Sequence, residues 1–155
     1  YVLDEVDDRY LTTLGAKVTK KVQPVRVPEK GLDVSLEMNV WDIMGQVGFR
    51  ELLKEAYFHG ARGVLAVVDL TRKSSYEGIG DWITAVNEVA GTIPVVLLGD
   101  KKALNAQAAV TPAQISAKAN AQGCPSILTS AKTGESVEAA FQNLANQIVR
   151  HYVVR

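Results

Sequence analysis

Two uninterrupted apolar runs, Val64-Leu65-Ala66-Val67-Val68 and Ile93-Pro94-Val95-Val96-Leu97-Leu98, constrain the fold of this chain more than any other feature. A strand with apolar side chains on both faces must be covered on both faces, which is the habit of parallel sheets. Between the runs, Ser74 to Ala90 carries Tyr76, Ile79, Trp82, Ile83, Val86 and Val89 at helical spacing, and Gly91 follows. Strand, helix and strand in that order predict a crossover unit and an α/β architecture.

The flanking segments extend the pattern. Ala16 to Val27 alternates polar and apolar residues and predicts a strand, with Pro24 inside it suiting a sheet edge. Pro28-Glu29-Lys30-Gly31 has turn composition. In the strand expected from Leu32 to Trp41, Leu32, Val34, Leu36, Met38 and Val40 point one way, and Asp33, Ser35, Glu37 and Asn39 the other. The two segments read as an antiparallel hairpin. Phe49 to Phe58 has helical spacing and is stopped by Gly60. Thr111-Pro112-Ala113-Gln114 combines a capping box with proline at the first helical position and opens a helix to about Gln122. Ser126 to Thr129 reads as a short strand. Ser136 is placed to cap a last helix with Val137, Ala140, Phe141, Leu144, Ala145, Ile148 and Tyr152 as its apolar stripe. The charged opening, Asp4 to Tyr10, reads as loop or frayed helix.

Parallel sheets bind ligands at the carboxyl ends of their strands. The polar signatures of this chain stand there: Asp42 after one expected strand, Asp69 after another, Asp100-Lys101 after a third, and Ser130-Ala131-Lys132 after a fourth. The first signature is Trp41-Asp42-Ile43-Met44-Gly45-Gln46. Its carboxylate can hold magnesium, its glycine N–H can approach a terminal phosphate, and its glutamine can orient an attacking water.

Composition excludes several classes. With 17 Lys+Arg against 17 Asp+Glu the formal charge is zero, so nothing argues for a nucleic-acid partner. The lone Cys124 cannot form an internal disulfide, which fits a reducing, cytoplasmic setting; it reads as a small filler before Pro125. No apolar run approaches the roughly 20 residues of a membrane span, and the terminal Tyr-Val-Val-Arg carries no prenylation cysteine, so no membrane anchor is expected in this chain. His59 and His151 have no metal partner nearby in sequence.

From end to end these landmarks resemble the Ras superfamily of small GTPases, and its Rab-like members in particular. Trp41-Asp42-x-x-Gly45-Gln46 resembles the second switch, and Thr12-Thr13-Leu14-Gly15 the first. Tyr57-Phe58-His59-Gly60-Ala61, Asp69-Leu70-Thr71 and Trp82 resemble further landmarks of the family. Thr129-Ser130-Ala131-Lys132-Thr133-Gly134-Glu135 resembles the loop that packs under the guanine base. The resemblance implies a P-loop NTPase-like fold: a mostly parallel sheet with one antiparallel edge hairpin and helices on both faces. It also implies a molecular switch that hydrolyses GTP to GDP with Mg2+. Gln46 would be catalytic. Thr13 and Asp42 would hold the metal. Thr13, Gly45, Asp100, Lys101, Ser130, Ala131 and Lys132 would bind nucleotide. Effectors, exchange factors and GTPase-activating proteins would meet the switch regions.

The resemblance departs in two places. No phosphate-binding loop G-x-x-x-x-G-K-[ST] is present, and too few residues precede Thr13 to hold it with the family's first strand and first helix. Buried aliphatic side chains contribute about 1.5–3 kcal/mol each, so a lost central strand rivals the ~5–15 kcal/mol stability of a domain. The expectation is a single G domain over residues 1–155 whose missing strand, loop and helix are supplied upstream or by another chain. The guanine motif N-K-x-D also reads Asp100-Lys101-Lys102-Ala103. Ala103 lacks the carboxylate that accepts two hydrogen bonds from guanine. Met44 stands where the family has a small residue. The alternative reading is a degenerate, GTPase-like interaction scaffold without guanine-nucleotide switching.

Overall fold

The computed structural model describes residues 10–11, 16–43, 54, 56–101 and 106–154. Among the described residues the strands are β1 (Tyr10–Leu11), β2 (Ala16–Val27), β3 (Leu32–Ile43), β4 (Val64–Asp69), β5 (Val95–Asp100) and β6 (Ser126–Leu128). The helices described in full are α1 (Lys73–Ala90), α2 (Pro112–Gln122) and α3 (Val137–Tyr152); Lys54, Ala56 and Tyr57 are helical as well, and the rest of the helix expected over Phe49 to Phe58 lies largely outside the described residues. The architecture is α/β, as the apolar runs require.

The strands divide into two sheets, ordered β1-β2-β3 and β4-β5-β6. The first is antiparallel. Val27 opposes Leu32 and the pairing runs without a slip to Ala16 opposite Ile43. A 3-10 turn over Pro28–Lys30 reverses the chain, and Gly31 closes it at φ 62°, a left-handed conformation that favours glycine. β1 pairs only with Ala16 and Lys17, so among the described residues Pro24 has β3 on one side and no strand on the other, the edge position that suits a proline. The second sheet is parallel throughout. Among the described residues no strand joins β3 to β4.

Helices cover both faces of the parallel sheet. Ala66, Val68, Val95 and Leu97 pack with Ile79 and Ile83 of α1 and Ile115 and Ala119 of α2. Their alternate neighbours Leu65, Val96 and Leu98 pack with Ala140, Leu144 and Ile148 of α3. The next positions of α3, Ala145 and Val149, pack instead on Val25 and Val27 of the hairpin. One helix therefore lies across both sheets. Lys21 to Glu138 at 2.8 Å and the Gln142 amide to the Pro24 carbonyl at 2.9 Å reinforce the hairpin side.

Several local readings hold, and several shift. The capping box at Thr111 forms in full, with Gln114 N–H donating to the Thr111 hydroxyl and Thr111 N–H to the Gln114 side chain. β3 runs two residues beyond Trp41, because Lys17 and Ala16 remain available to pair with Asp42 and Ile43. β5 begins at Val95; Ile93 is buried but precedes the strand. Tyr10 leaves the expected loop and bridges to β2. Ser136 occupies the N-cap position of α3 with φ 60°, yet its hydroxyl makes no capping bond. The apolar stripe of α3 ends on Val149, wholly buried, and not on Tyr152, which is 40% exposed. Tyr152 lies instead under the Arg62 guanidinium, 5.1 Å from the ring centroid. No helix among the described residues is long and apolar enough to cross a membrane.

Candidate functional site

The parallel sheet places the ends of its strands side by side. Asp69 and Asp100 are register partners, the last residues of β4 and β5. Two like charges opposite one another are unfavourable unless each finds donors. Asp69 has them on both oxygens: Oδ1 accepts from the Thr71 N–H at 2.9 Å and the Thr71 hydroxyl at 2.6 Å, and Oδ2 from Lys101 Nζ at 2.5 Å. Burial acts to raise the Asp69 carboxyl, but the bonds from Lys101 and Thr71 outweigh it and hold the group below its ordinary value. Lys101 reaches Asp69 from a backbone at φ 69°, which is uncommon for a residue with a Cβ.

Asp100 is served from the next strand. Its Oδ1 accepts the Thr129 hydroxyl at 3.0 Å and the Ala131 N–H at 2.9 Å. Thr129 and Ser130 are buried, 2% and 1% exposed. The loop after β6 is a compact turn. Ser130 N–H donates to the Glu135 carbonyl, Gly134 N–H to the Ser130 carbonyl, and Thr133 N–H to the Ser130 hydroxyl. Lys132 is exposed on it.

Of the nine residues expected at the site, the structure brings Asp100, Lys101, Ser130, Ala131 and Lys132 together at the carboxyl ends of β5 and β6. Asp42 is exposed near the end of β3, in the other sheet, opposite Lys17. Thr13, Gly45 and Gln46 lie outside the described residues, as does Ala103. Asp42 is a hard oxygen donor of the kind magnesium takes when it binds through one or two carboxylates, water and phosphate. Among the described residues no group of three or more His, Cys, Asp or Glu is placed to hold a metal by itself. Two partners had no assigned role in the sequence: Asp69, which engages Lys101, and Thr129, which engages Asp100. The signal for both was the parallel register, which sets neighbouring strand ends abreast.

Comparison with known proteins agrees with these landmarks. A sequence model of the Ras family matches residues 1–150. Ras-related protein Rab-37 of Homo sapiens is 31% identical over 140 residues, 90% of this chain and 60% of its own length. Ras-related protein Rab-13 of Canis lupus familiaris is 32% identical over 147 residues, 94% of this chain and 69% of its own. Ras-related protein Rab-4A of Rattus norvegicus is 36% identical over 115 residues, 74% of this chain and 52% of its own. The chain thus spans roughly half to two thirds of the length of these relatives. With the strand-end signatures in order and the family match running over almost all of its residues, the chain belongs to the Ras family and is a Rab-like small GTPase domain by descent.

Proposed function

We propose that the protein is a nucleotide-dependent molecular switch that hydrolyses a nucleoside triphosphate to the diphosphate, GTP being the nucleotide its family implies. The observation that carries this reading is the shared rim of Asp100, Lys101, Thr129 and Ala131 at the carboxyl ends of the parallel strands. Parallel sheets bind ligands at that edge.

In this reading Gln46 orients the attacking water, and Gly45 meets the γ-phosphate through its N–H. Thr13 and Asp42 are the residues that would hold Mg2+, which would neutralise charge on the phosphates. Lys101, Ser130, Ala131 and Lys132 line the base side. The two switch segments order around the triphosphate and relax on hydrolysis, and effector, exchange and GTPase-activating proteins read that difference. The reading includes a cytoplasmic working site.

A second reading keeps support from two observations. Lys101 is bonded to Asp69, and the Ala131 N–H is bonded to Asp100, so both groups of the base side have partners within the protein. A scaffold that no longer switches on nucleotide would show the same pairs. The two readings separate in one titration. The protein as its gene encodes it is titrated with GTP and with ATP, in magnesium and in chelator, alongside Asp42→Asn. A switch binds a triphosphate in a magnesium-dependent way that Asp42→Asn weakens at least about tenfold, which is ~1.4 kcal/mol. A scaffold binds neither nucleotide.

A further inference from the structure

The hairpin meets helix α3 along a seam that is polar at its centre. The row of β2 that faces α3 reads Lys21, Gln23, Val25 and Val27. Lys21 donates to Glu138 at 2.8 Å and lies over the Phe141 ring, 5.2 Å from its centroid. Gln23 donates to the Gln142 side-chain carbonyl. The Gln142 amide donates in turn to the Pro24 carbonyl at 2.9 Å and to Asn146 at 3.1 Å. Gln23 is 4% exposed, and its Oε1 has no hydrogen-bond partner. A glutamine buried with half of its amide unmet costs stability, and an apolar residue of its size would not, so stability does not account for this pair.

The packing around the pair gives it a task. Val25, Val27, Ala145 and Val149 are small, alike and buried, so their contacts do not favour one alignment over another. Strand and helix also advance by nearly equal steps: two residues of β2 cover about 6.6 Å and four of α3 about 6 Å. The ion pairs at either end, Lys21 with Glu138 and Arg150 with Glu29, join long side chains with exposed partners, which can follow such a step. The amides cannot. In a displaced frame Gln142 no longer meets Gln23 or the Pro24 carbonyl, and buried polar groups go unpaired. The ladder of the hairpin runs without a slip from Val27 opposite Leu32 to Ala16 opposite Ile43. The frame of β2 on α3 therefore also sets where Asp42 stands.

We propose that Gln23 and Gln142 are positioning residues: they hold the hairpin in one frame on α3 and, through its ladder, hold Asp42 in the place where it serves the metal. The role of Asp42 rests on the nucleotide reading given above; the single frame does not.

Gln23→Leu combined with Gln142→Leu is the discriminating variant, because the row then carries three successive apolar side chains and no amide distinguishes the frames. The protein as its gene encodes it is compared with this variant by methyl NOE spectroscopy and thermal melting. Wild type shows one set of contacts from Ala145 and Val149 to Val25 and Val27. The double variant melts at or above the wild-type temperature, since apolar replacement of both partners is neutral or stabilising. It shows a second set, with Ala145 or Val149 against the leucine at position 23. Val149→Ala, which loosens the seam but keeps the amides, retains one set from Ala145. Saturating ATP or GTP with magnesium returns the double variant to one set, because a ligand draws the population to the frame it binds better. With Asp42→Asn added, it does not. A single set in the double variant, or two sets in Val149→Ala, overturns the proposal. So does a second set that persists while magnesium and nucleotide are bound, or one that collapses equally with Asp42→Asn. Should the double variant not fold, Gln142→Leu is read in the same way, since it alone removes the bonds to Gln23 and to the Pro24 carbonyl. Failure of wild type to bind either triphosphate overturns the nucleotide reading, and the NOE comparison still decides the frame.

Discussion

Helix α3 lies across two sheets that share no ladder among the described residues, and this predicts two separable opening events. Val149 is fully buried and packs on Val25 and Val27 of the hairpin, with Ala145 beside it. Leu144, five residues earlier, packs on Val96 and Leu98 of the parallel sheet. Val149→Ala removes two methyl groups at about 0.8 kcal/mol each and leaves a small cavity, for a cost of about 2–3 kcal/mol. Leu144→Ala costs about 2–5 kcal/mol by the same reasoning. Because β3 and β4 share no ladder, the hairpin can open while α3 stays on the parallel sheet. Amides of β2 and β3 then exchange through that local opening, and those of β5 through global unfolding. Native-state hydrogen exchange distinguishes the two substitutions. Val149→Ala accelerates hairpin amides by about 30-fold or more, the equivalent of ~2 kcal/mol, and accelerates β5 amides as well. Leu144→Ala accelerates β5 amides far more than hairpin amides, since of the hairpin only the half-buried Leu36 packs on its cluster. If Leu144→Ala speeds hairpin and β5 amides by one factor, the sheets open as a single unit and the two events are not separable.

Three further outcomes are expected. Thr111→Ala removes one half of the capping box of α2 and lowers stability by about 0.5–2 kcal/mol in urea denaturation, while Thr111→Ser retains most of it. Gly99→Ala places a Cβ 2.9 Å from Leu128 Cδ2 and 3.1 Å from Leu70 Cδ2, so it destabilises by about 1–3 kcal/mol although alanine suits a strand better than glycine; a neutral melting temperature would count against that packing. Asp69 has a depressed folded-state value, so its contribution is present above the ordinary carboxylate range and is lost as pH falls through the lowered value. Acid titration of stability should accordingly show a shallower decline for Asp69→Asn than for wild type.

The fold was legible wherever local pattern carried it. The runs Val64–Val68 and Ile93–Leu98 gave two parallel strands, the hairpin segments gave two antiparallel ones, and the Thr111–Gln114 box gave a helix start to the residue. These depend on side-chain period and cap chemistry within a few residues. What was not legible depends on partners distant in sequence. β3 extends to Ile43 because β2 continues opposite it. Val149, not Tyr152, ends the buried stripe of α3: Val149 and, past the helix, Val154 pack on the hairpin, whereas Arg62 takes the Tyr152 ring. Ser136 satisfies the cap pattern in sequence, but its left-handed backbone keeps the hydroxyl out of the capping bond. The candidate site divides in the same way. Asp100, Lys101 and Ser130–Lys132 were found from their places after strands, whereas the bonds that give them their present chemistry, Lys101 to Asp69 and Ala131 to Asp100, needed the register of β4, β5 and β6.

The switch proposed for this protein is driven by hydrolysis, with Gln46 orienting the water. Single-turnover hydrolysis of radiolabelled triphosphate tests it most directly, on the protein as its gene encodes it and on Gln46→Leu. ATP and GTP are each measured at saturating concentration, so that base preference does not enter. Wild type is expected to release phosphate slowly and in a magnesium-dependent way with at least one of the two. Gln46→Leu is expected to be at least about tenfold slower, ~1.4 kcal/mol in the barrier, with nucleotide affinity retained. Equal rates in wild type and variant would contradict the role of Gln46. Bound triphosphate that wild type never hydrolyses would contradict the switch.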